Sequence, residues 1–213
     1  MSRTAAEYNA WYHTRRGAWI AAAEFDLLKS LFQLQAGSSL LDVGCGTGHF
    51  SRRFAKAGLR VTGIDPDSKA IEFSRNRTAN VDYLQGDAQH LPFADAAFDY
   101  CSAVTSLCFI GNVKTALQEM WRVSRKGIVL GLLNRHSLLY REREQHPGYK
   151  GARWDTANDA RQWAGWLSVP TTGTRIKTAI SFPGGSPFSR AMEKLVPARL
   201  PFGAFIAVYY PKQ

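Results

Sequence analysis

Cysteine is scarce in this sequence, and the few that occur form no pattern. Cys45, Cys101 and Cys108 are an odd number without the paired spacing of a metal site, so neither a disulfide framework nor a zinc site is supported, and no metal is expected. No apolar run approaches the roughly 20 residues that a bilayer-spanning helix needs. The start, Met1-Ser2-Arg3-Thr4-Ala5-Ala6-Glu7, lacks the apolar core of a secretory signal. Internal repeats and low-complexity tracts are missing too. These absences point to a cytoplasmic protein, with peripheral attachment to a membrane as the alternative.

Acidic residues are the other shortage, and a local one. Residues 1–119 hold 12 basic and 12 acidic side chains, whereas residues 120–213 hold 15 basic against 5 acidic, which accounts for the whole net charge of +10. A basic half suits an acidic substrate, RNA or an anionic membrane surface, or is simply solvated surface. With 213 residues the chain fits one domain with a sizeable core.

The hydrophobic pattern alternates between two periods. Trp11, Ile20, Phe25, Leu27, Leu28, Leu31 and Phe32 recur at helical spacing, which predicts helix over 5–34 with a break at Gly17. Short apolar strands follow at 40–43, 59–64, 81–84, 98–103 and 127–133, separated by helical stretches at 50–57, 67–77 and 113–124. Such alternation predicts a parallel sheet covered by helices on both faces. Further on, a helix is expected from Thr156, a strand at 174–182 and a last apolar strand at 203–210, while 134–155 and 183–202 read as loops with short helices.

One turn carries chemistry. Asp42-Val43-Gly44-Cys45-Gly46-Thr47-Gly48 lies between a strand and a helix, where glycines let backbone approach a ligand and amide groups at the helix start form a polar cradle. A second strand closes on Asp65, about 20 residues on, where an acid can take both hydroxyls of a ribose. A dinucleotide site would show G-x-G-x-x-G; here the order is Gly44-x-Gly46-x-Gly48.

These residues resemble the first motif of the class I S-adenosylmethionine-dependent methyltransferases, in the broad group that includes quinone-biosynthesis methyltransferases. Gly63-Ile64-Asp65 is similar to their second motif, and Gly86-Asp87-Ala88-Gln89-His90-Leu91-Pro92-Phe93 to their third. Phe98-Asp99-Tyr100 matches the fourth, a strand whose far end approaches the methionine part of the cofactor. The resemblance implies a doubly wound, mostly parallel seven-stranded α/β sheet with an antiparallel last strand and an N-terminal helical lid. It divides the single domain into a lid (1–36), a cofactor-binding core (37–133) and substrate-side segments with the last two strands (134–213).

It also implies S-adenosylmethionine as cofactor, S-adenosylhomocysteine as product, and a set of cofactor residues. These are Asp42, Gly44, Cys45, Gly46 and Gly48 on the turn, then Asp65 and Pro66 at the ribose. Asp87 is placed at the adenine amino group, Ala88 at the ring and Val104 beside the cofactor, with Tyr8 and Arg16 as candidates for the methionine carboxylate. Trp11 and Tyr12 are candidate substrate walls, and Cys108 stands where relatives often carry histidine. Asn134, Arg135, Tyr140 and Trp154 are candidates for the substrate rim, Arg135, Arg141, Arg153 and Trp154 for an anion-binding wall, and His136 for a base.

The expected activity is in-line methyl transfer to a small anionic or aromatic metabolite. Catalysis would come from holding acceptor and methyl in near-attack geometry and excluding water. RNA methylation and non-catalytic binding of the cofactor are the alternatives. Against RNA, the basic residues are dispersed and no recognisable RNA-binding module occurs.

Overall fold

The computed structural model describes residues 4–32, 35–78, 80–167 and 173–212, apart from the Pro147 side chain. Its strands are β1 (Ser39–Val43), β2 (Arg60–Asp65), β3 (Val81–Gln85), β4 (Phe98–Val104), β5 (Ser124–Leu133), β6 (Arg175–Ala179) and β7 (Phe205–Pro211). They form a seven-stranded sheet in the order β3-β2-β1-β4-β5-β7-β6. The first five pair in parallel, and β7 runs antiparallel between β5 and β6. The covered, mostly parallel sheet is what the alternating pattern predicts, and the reversed last strand is what the family resemblance implies.

Both faces of the central strands are covered, so those strands are mostly apolar, with Asp42 and Ser102 as buried polar exceptions. Along β7, Phe205, Ala207 and Tyr209 enter one core while Ile206, Val208 and Tyr210 enter the other. The first core packs under helices α2 (Arg15–Lys29), α3 (His49–Lys56) and α4 (Ser68–Arg75), through Phe25, Leu28, Phe54 and Ile71. The second packs under α5 (Val113–Val123) and α7 (Ala157–Trp163), through Leu117, Met120 and Trp163. Thr156 caps α7 and forms a capping box with Asp159, which explains why that helix begins where its sequence suggests.

The N-terminal region departs from its expected form in two ways. The break between α1 (Ala5–Trp11) and α2 falls at 12–14, not at Gly17, and Thr14 caps the second helix by accepting from the Gly17 amide. Gly17 instead lies inside α2, where a Cβ would stand 2.1 Å from the Trp11 carbonyl oxygen. The glycine marks a close approach of two turns. Furthermore, α2 packs against β5, β6 and β7 as part of the sheet's cover, which leaves α1 as the segment beside the strand ends. Positions 33 and 34 of the expected helix lie outside the described residues.

The last third contains α6 (Leu138–Arg143), a short 3-10 turn at Pro147–Tyr149 and α8 (Pro187–Glu193). Among the described residues, no helix is long and apolar enough to cross a membrane.

Candidate functional site

Parallel strands place their carboxyl ends together, and the loops that leave those ends border a shared crevice. The turn after β1 is the sharpest of them. Gly44, Gly46 and Gly48 have φ of +70°, +52° and +71°, values that favour glycine. Their surroundings differ. A Cβ on Gly44 would stand 2.4 Å from the Ser106 Cβ, and one on Gly48 would stand 2.2 Å from the Tyr83 hydroxyl. A Cβ on Gly46 would meet nothing within 4 Å. Two glycines therefore serve packing, while the middle one faces open space.

The turn is tied to the end of β2. Gly44 and Cys45 both donate their amides to the Ile64 carbonyl, and the Gly46 amide donates to Asp65 Oδ2 at 2.7 Å. Asp65 Oδ1 accepts from the Asp67 amide. Each carboxylate oxygen keeps a lone pair for another donor. Burial raises the Asp65 pKa, opposed by the two amides. Asp87 is exposed, and the Gln89 amide holds its carboxyl below the usual range. Gly44, Cys45, Gly46, Asp65, Pro66, Asp87, Ala88 and Val104 all border one cavity of about 310 Å³, as do Tyr8 and Tyr12.

Two turn residues fall elsewhere. Asp42 does not border this cavity; its buried carboxylate accepts from Ser51 Oγ at 2.6 Å and Ser102 Oγ at 2.7 Å. Burial lifts its pKa to about 6 against the pull of these hydroxyls. It works as a post joining β1, α3 and β4. Gly48 likewise starts α3 in the left-handed conformation and packs on Tyr83.

A second cavity of about 320 Å³ adjoins the first, and Tyr8, Tyr12, Thr105 and Phe109 border both. Tyr8 and Tyr12 share a hydroxyl hydrogen bond of 3.2 Å, and the Tyr12 ring stacks on His49 at 3.7 Å between centroids. Thr105 has φ of +50°, an uncommon state for a β-branched residue and one that concentrates at functional sites. The rest of the second cavity is assembled from distant segments: Trp11, Arg16, Ile20 and Glu24 from the N-terminal helices, Arg143, His146 and Tyr149 from the loop after β5, and Ile180 and Ala204 near the last strands.

Comparison with known proteins places this geometry. A model described as "Methyltransferase domain" matches residues 41–131. The malonyl-[acyl-carrier protein] O-methyltransferase of Serratia marcescens is 36% identical over 133 residues, covering 61% of this chain and 49% of that protein. The demethylmenaquinone methyltransferase of Renibacterium salmoninarum is 38% identical over 91 residues, covering 43% of this chain and 38% of that protein. A solved S-adenosylmethionine-dependent methyltransferase of Thermotoga maritima, described as a possible histamine N-methyltransferase, aligns over 97% of this chain and 95% of its own, with 26% identity and a TM-score of 0.74. In its motifs, its matched domain and its fold the chain is similar to the class I S-adenosylmethionine-dependent methyltransferases. It spans less than half the length of the two curated relatives.

The residues expected around the methionine end and the substrate side divide sharply. Trp11 and Tyr12 border the second cavity, as does Arg16, whose Nε donates to the Pro183 carbonyl at 2.7 Å. Arg16 does not border the first cavity. Neither cavity is lined by Cys108, Asn134, Arg135, His136, Tyr140 or Trp154. Cys108 is buried, donates to the Thr105 carbonyl at 3.4 Å, and has its pKa pushed up to about 12 by burial, so it is a packing thiol. The Asn134 amide ties together the Pro201 and Gly203 carbonyls. Arg135 faces Asp159 at 3.8 Å, and Arg153 pairs with Asp155 at 2.6 Å. His136 is exposed. Tyr140 and Trp154 pack edge to face.

Glu24, Thr105, Phe109 and Tyr149 are among the lining residues that sequence reasoning missed. For Glu24 a signal existed: it stands four residues from both Ile20 and Leu28, on the buried face of α2. An acid on an apolar stripe is out of place unless it has a task. No comparable local pattern marks the others.

Proposed function

We propose that this chain transfers a methyl group from S-adenosylmethionine, held in the first cavity, to a small acceptor held in the second. The observation that carries the reading is the pair of adjoining cavities joined across Tyr8, Tyr12, Thr105 and Phe109. The first fits the cofactor in size, since ligand sites begin near 300 Å³, and in chemistry, since open space lies over Gly46 beside two acids.

When bound, the cofactor supplies a methyl group on a sulfonium, already a good leaving group. The chain's own part is placement. The Gly44–Gly46 backbone admits the ligand, Asp65 accepts from the ribose hydroxyls, and Pro66 lies beside them. Asp87 accepts from the adenine amino group, Ala88 lines the ring, and Val104 and Tyr8 border the methionine end. Tyr8, Tyr12 and Phe109 shield the junction of the cavities from water, which favours displacement chemistry.

The relatives carry names with three different acceptors, so the acceptor must be read from this chain's own cavity. Trp11, Tyr12, Tyr149 and Phe109 suit an aromatic body, while Arg16 and Arg143 suit an acidic group. A cavity of about 320 Å³ supports a metabolite over a polynucleotide.

Calorimetry tests the reading. S-adenosylmethionine and S-adenosylhomocysteine should bind, nicotinamide dinucleotides should not, and Asp65→Ala should weaken binding at least ~30-fold, as expected for two hydrogen bonds to a charged group. Absence of binding by both cofactor forms would refute the proposal.

A further inference from the structure

Glu24 is buried, at 9% exposure, and faces the second cavity. No hydrogen bond or ion pair reaches its carboxyl among the described residues. A buried acid without a partner is costly, and most proteins supply one. Here the open side of the carboxyl is the cavity itself, bordered by the rings of Tyr8, Trp11, Tyr12 and Tyr149. Among the described residues no other acid borders that cavity, so a divalent cation would lack the several carboxylates it usually takes. An anionic group would gain no opposite charge from Glu24.

We infer that Glu24 anchors the acceptor through an amine, so that the atom methylated is a nitrogen held between this carboxylate and the aromatic walls. The inference rests on the two-cavity methyltransferase reading above. Electron-rich ring faces attract an ammonium group, adding to the pull of the carboxylate. Arg16 and Arg143, on the same cavity, oppose a second positive charge and accommodate an acidic tail on the same molecule.

The step balances without a further reactant. The acceptor ammonium gives one proton to the Glu24 carboxylate, which frees the nitrogen lone pair. A carbon–nitrogen bond then forms as the carbon–sulfur bond breaks, and the electron pair of the broken bond stays on sulfur. The methylated ammonium leaves, and Glu24 returns its proton to water. Burial pushes the Glu24 carboxyl up to about 8, opposed by Arg53 on α3, which brings it closer to an amine in proton affinity. Other groups that titrate around the cavity are His146 and the three phenols.

The test measures binding, not turnover. Phenethylamine, 2-phenylethanol and 3-phenylpropanoate share a ring and differ in the polar end. With S-adenosylhomocysteine present, calorimetry on the full chain should show the amine binding at least ~10-fold tighter than either analogue. At pH 7 its binding should release close to one proton, measured in buffers of different ionisation enthalpy, as Glu24 ionises against the ammonium. Glu24→Gln should lose the amine preference and the proton release while keeping its affinity for S-adenosylhomocysteine. Equal affinity for amine and alcohol in the unaltered protein overturns the inference without any variant, as does an unchanged preference in Glu24→Gln. Failure to bind S-adenosylhomocysteine overturns the methyltransferase reading instead, so the two failures are distinct.

Discussion

The two cavities are nearly equal in volume, about 310 and 320 Å³, yet they are built in opposite ways. Apart from Tyr8 and Tyr12, every residue bordering the first lies between Gly44 and Ile110, on loops that leave consecutive parallel strands. The second draws on positions from Tyr8 to Ala204 and owes its shape to packing among segments far apart in the chain. A ligand cradle made of backbone demands particular residues at particular spacings. A pocket made of side chains demands only that suitable groups meet. The first construction is therefore rigid in sequence, and the second is free to vary with the acceptor.

The sharpest way to break that comparison is within the turn. Gly44→Ala combines a left-handed backbone with a Cβ 2.4 Å from Ser106, and should cost about 3–4 kcal/mol of stability. Gly46→Ala has the same backbone sign but open space around its Cβ, and should cost only ~1–2 kcal/mol. Its methyl would project toward the cavity, so S-adenosylhomocysteine affinity should fall at least ~10-fold. Denaturant titration and calorimetry on both variants separate the two effects. Equal losses of stability would contradict the assignment of one glycine to packing and the other to the ligand.

Asp42 gives the next test. Its carboxylate satisfies two buried hydroxyls, Ser51 and Ser102. Asp42→Ala should therefore cost about 2–4 kcal/mol, because both hydroxyls lose their acceptor. Cofactor affinity of the folded fraction should change less than in Asp65→Ala. If calorimetry finds Asp42→Ala the more damaging to affinity, this acid acts on the ligand and not on the scaffold.

How legible the site was follows the same division. The alternation of strands and helices and the cavity positions of Asp65, Asp87 and Ala88 were readable because each depends on a short run of residues, whereas the reversed β7 came only with the family resemblance. The second cavity was readable only at Trp11 and Tyr12; Arg16, expected at the cofactor's methionine carboxylate, lines this cavity and not the first. Asn134, His136 and Trp154 sit at the ends of the right elements, but their side chains turn to backbone carbonyls, solvent or another ring. Which way a loop residue points is settled by tertiary packing, and no local period records it. Gly17 misled for a related reason: a glycine needed for contact between α1 and α2 looks in sequence like one that ends a helix.

Glu24 lets the second cavity be probed through stability. Its carboxyl has an ordinary value of 4.5 and is raised to about 8 by burial. The folded chain thus holds a proton that the unfolded chain releases across this window. The stability tied to that proton is fully present below pH 4.5 and is lost as pH rises through 8. Glu24→Gln removes the dependence, and at pH 8 should be more stable than the unaltered chain by ~2 kcal/mol, or about 4–8 °C in Tm. At pH 5 the two should nearly coincide. Thermal melts across this range that stay parallel would mean that the carboxyl has a partner in solution.

The smallest expected effect belongs to the junction of the cavities and has the opposite sign. His49 stacks on Tyr12, and its Nε2 accepts from Arg53 Nε at 3.0 Å. Burial, then the charges of Arg53 and Arg52, lowers its pKa from 6.5 to about 3, so the folded chain keeps it neutral. Its contribution is fully present above pH 6.5 and is lost as pH falls toward 3. Solvent at the junction screens part of the charge, which reduces the effect. His49→Phe keeps a ring against Tyr12 and removes the titration. Between pH 7 and pH 5 it should lose ~2–3 °C less in Tm than the unaltered chain. A steeper acid loss in His49→Phe would mean that the Arg53 hydrogen bond, and not the neutral imidazole, is what this contact contributes.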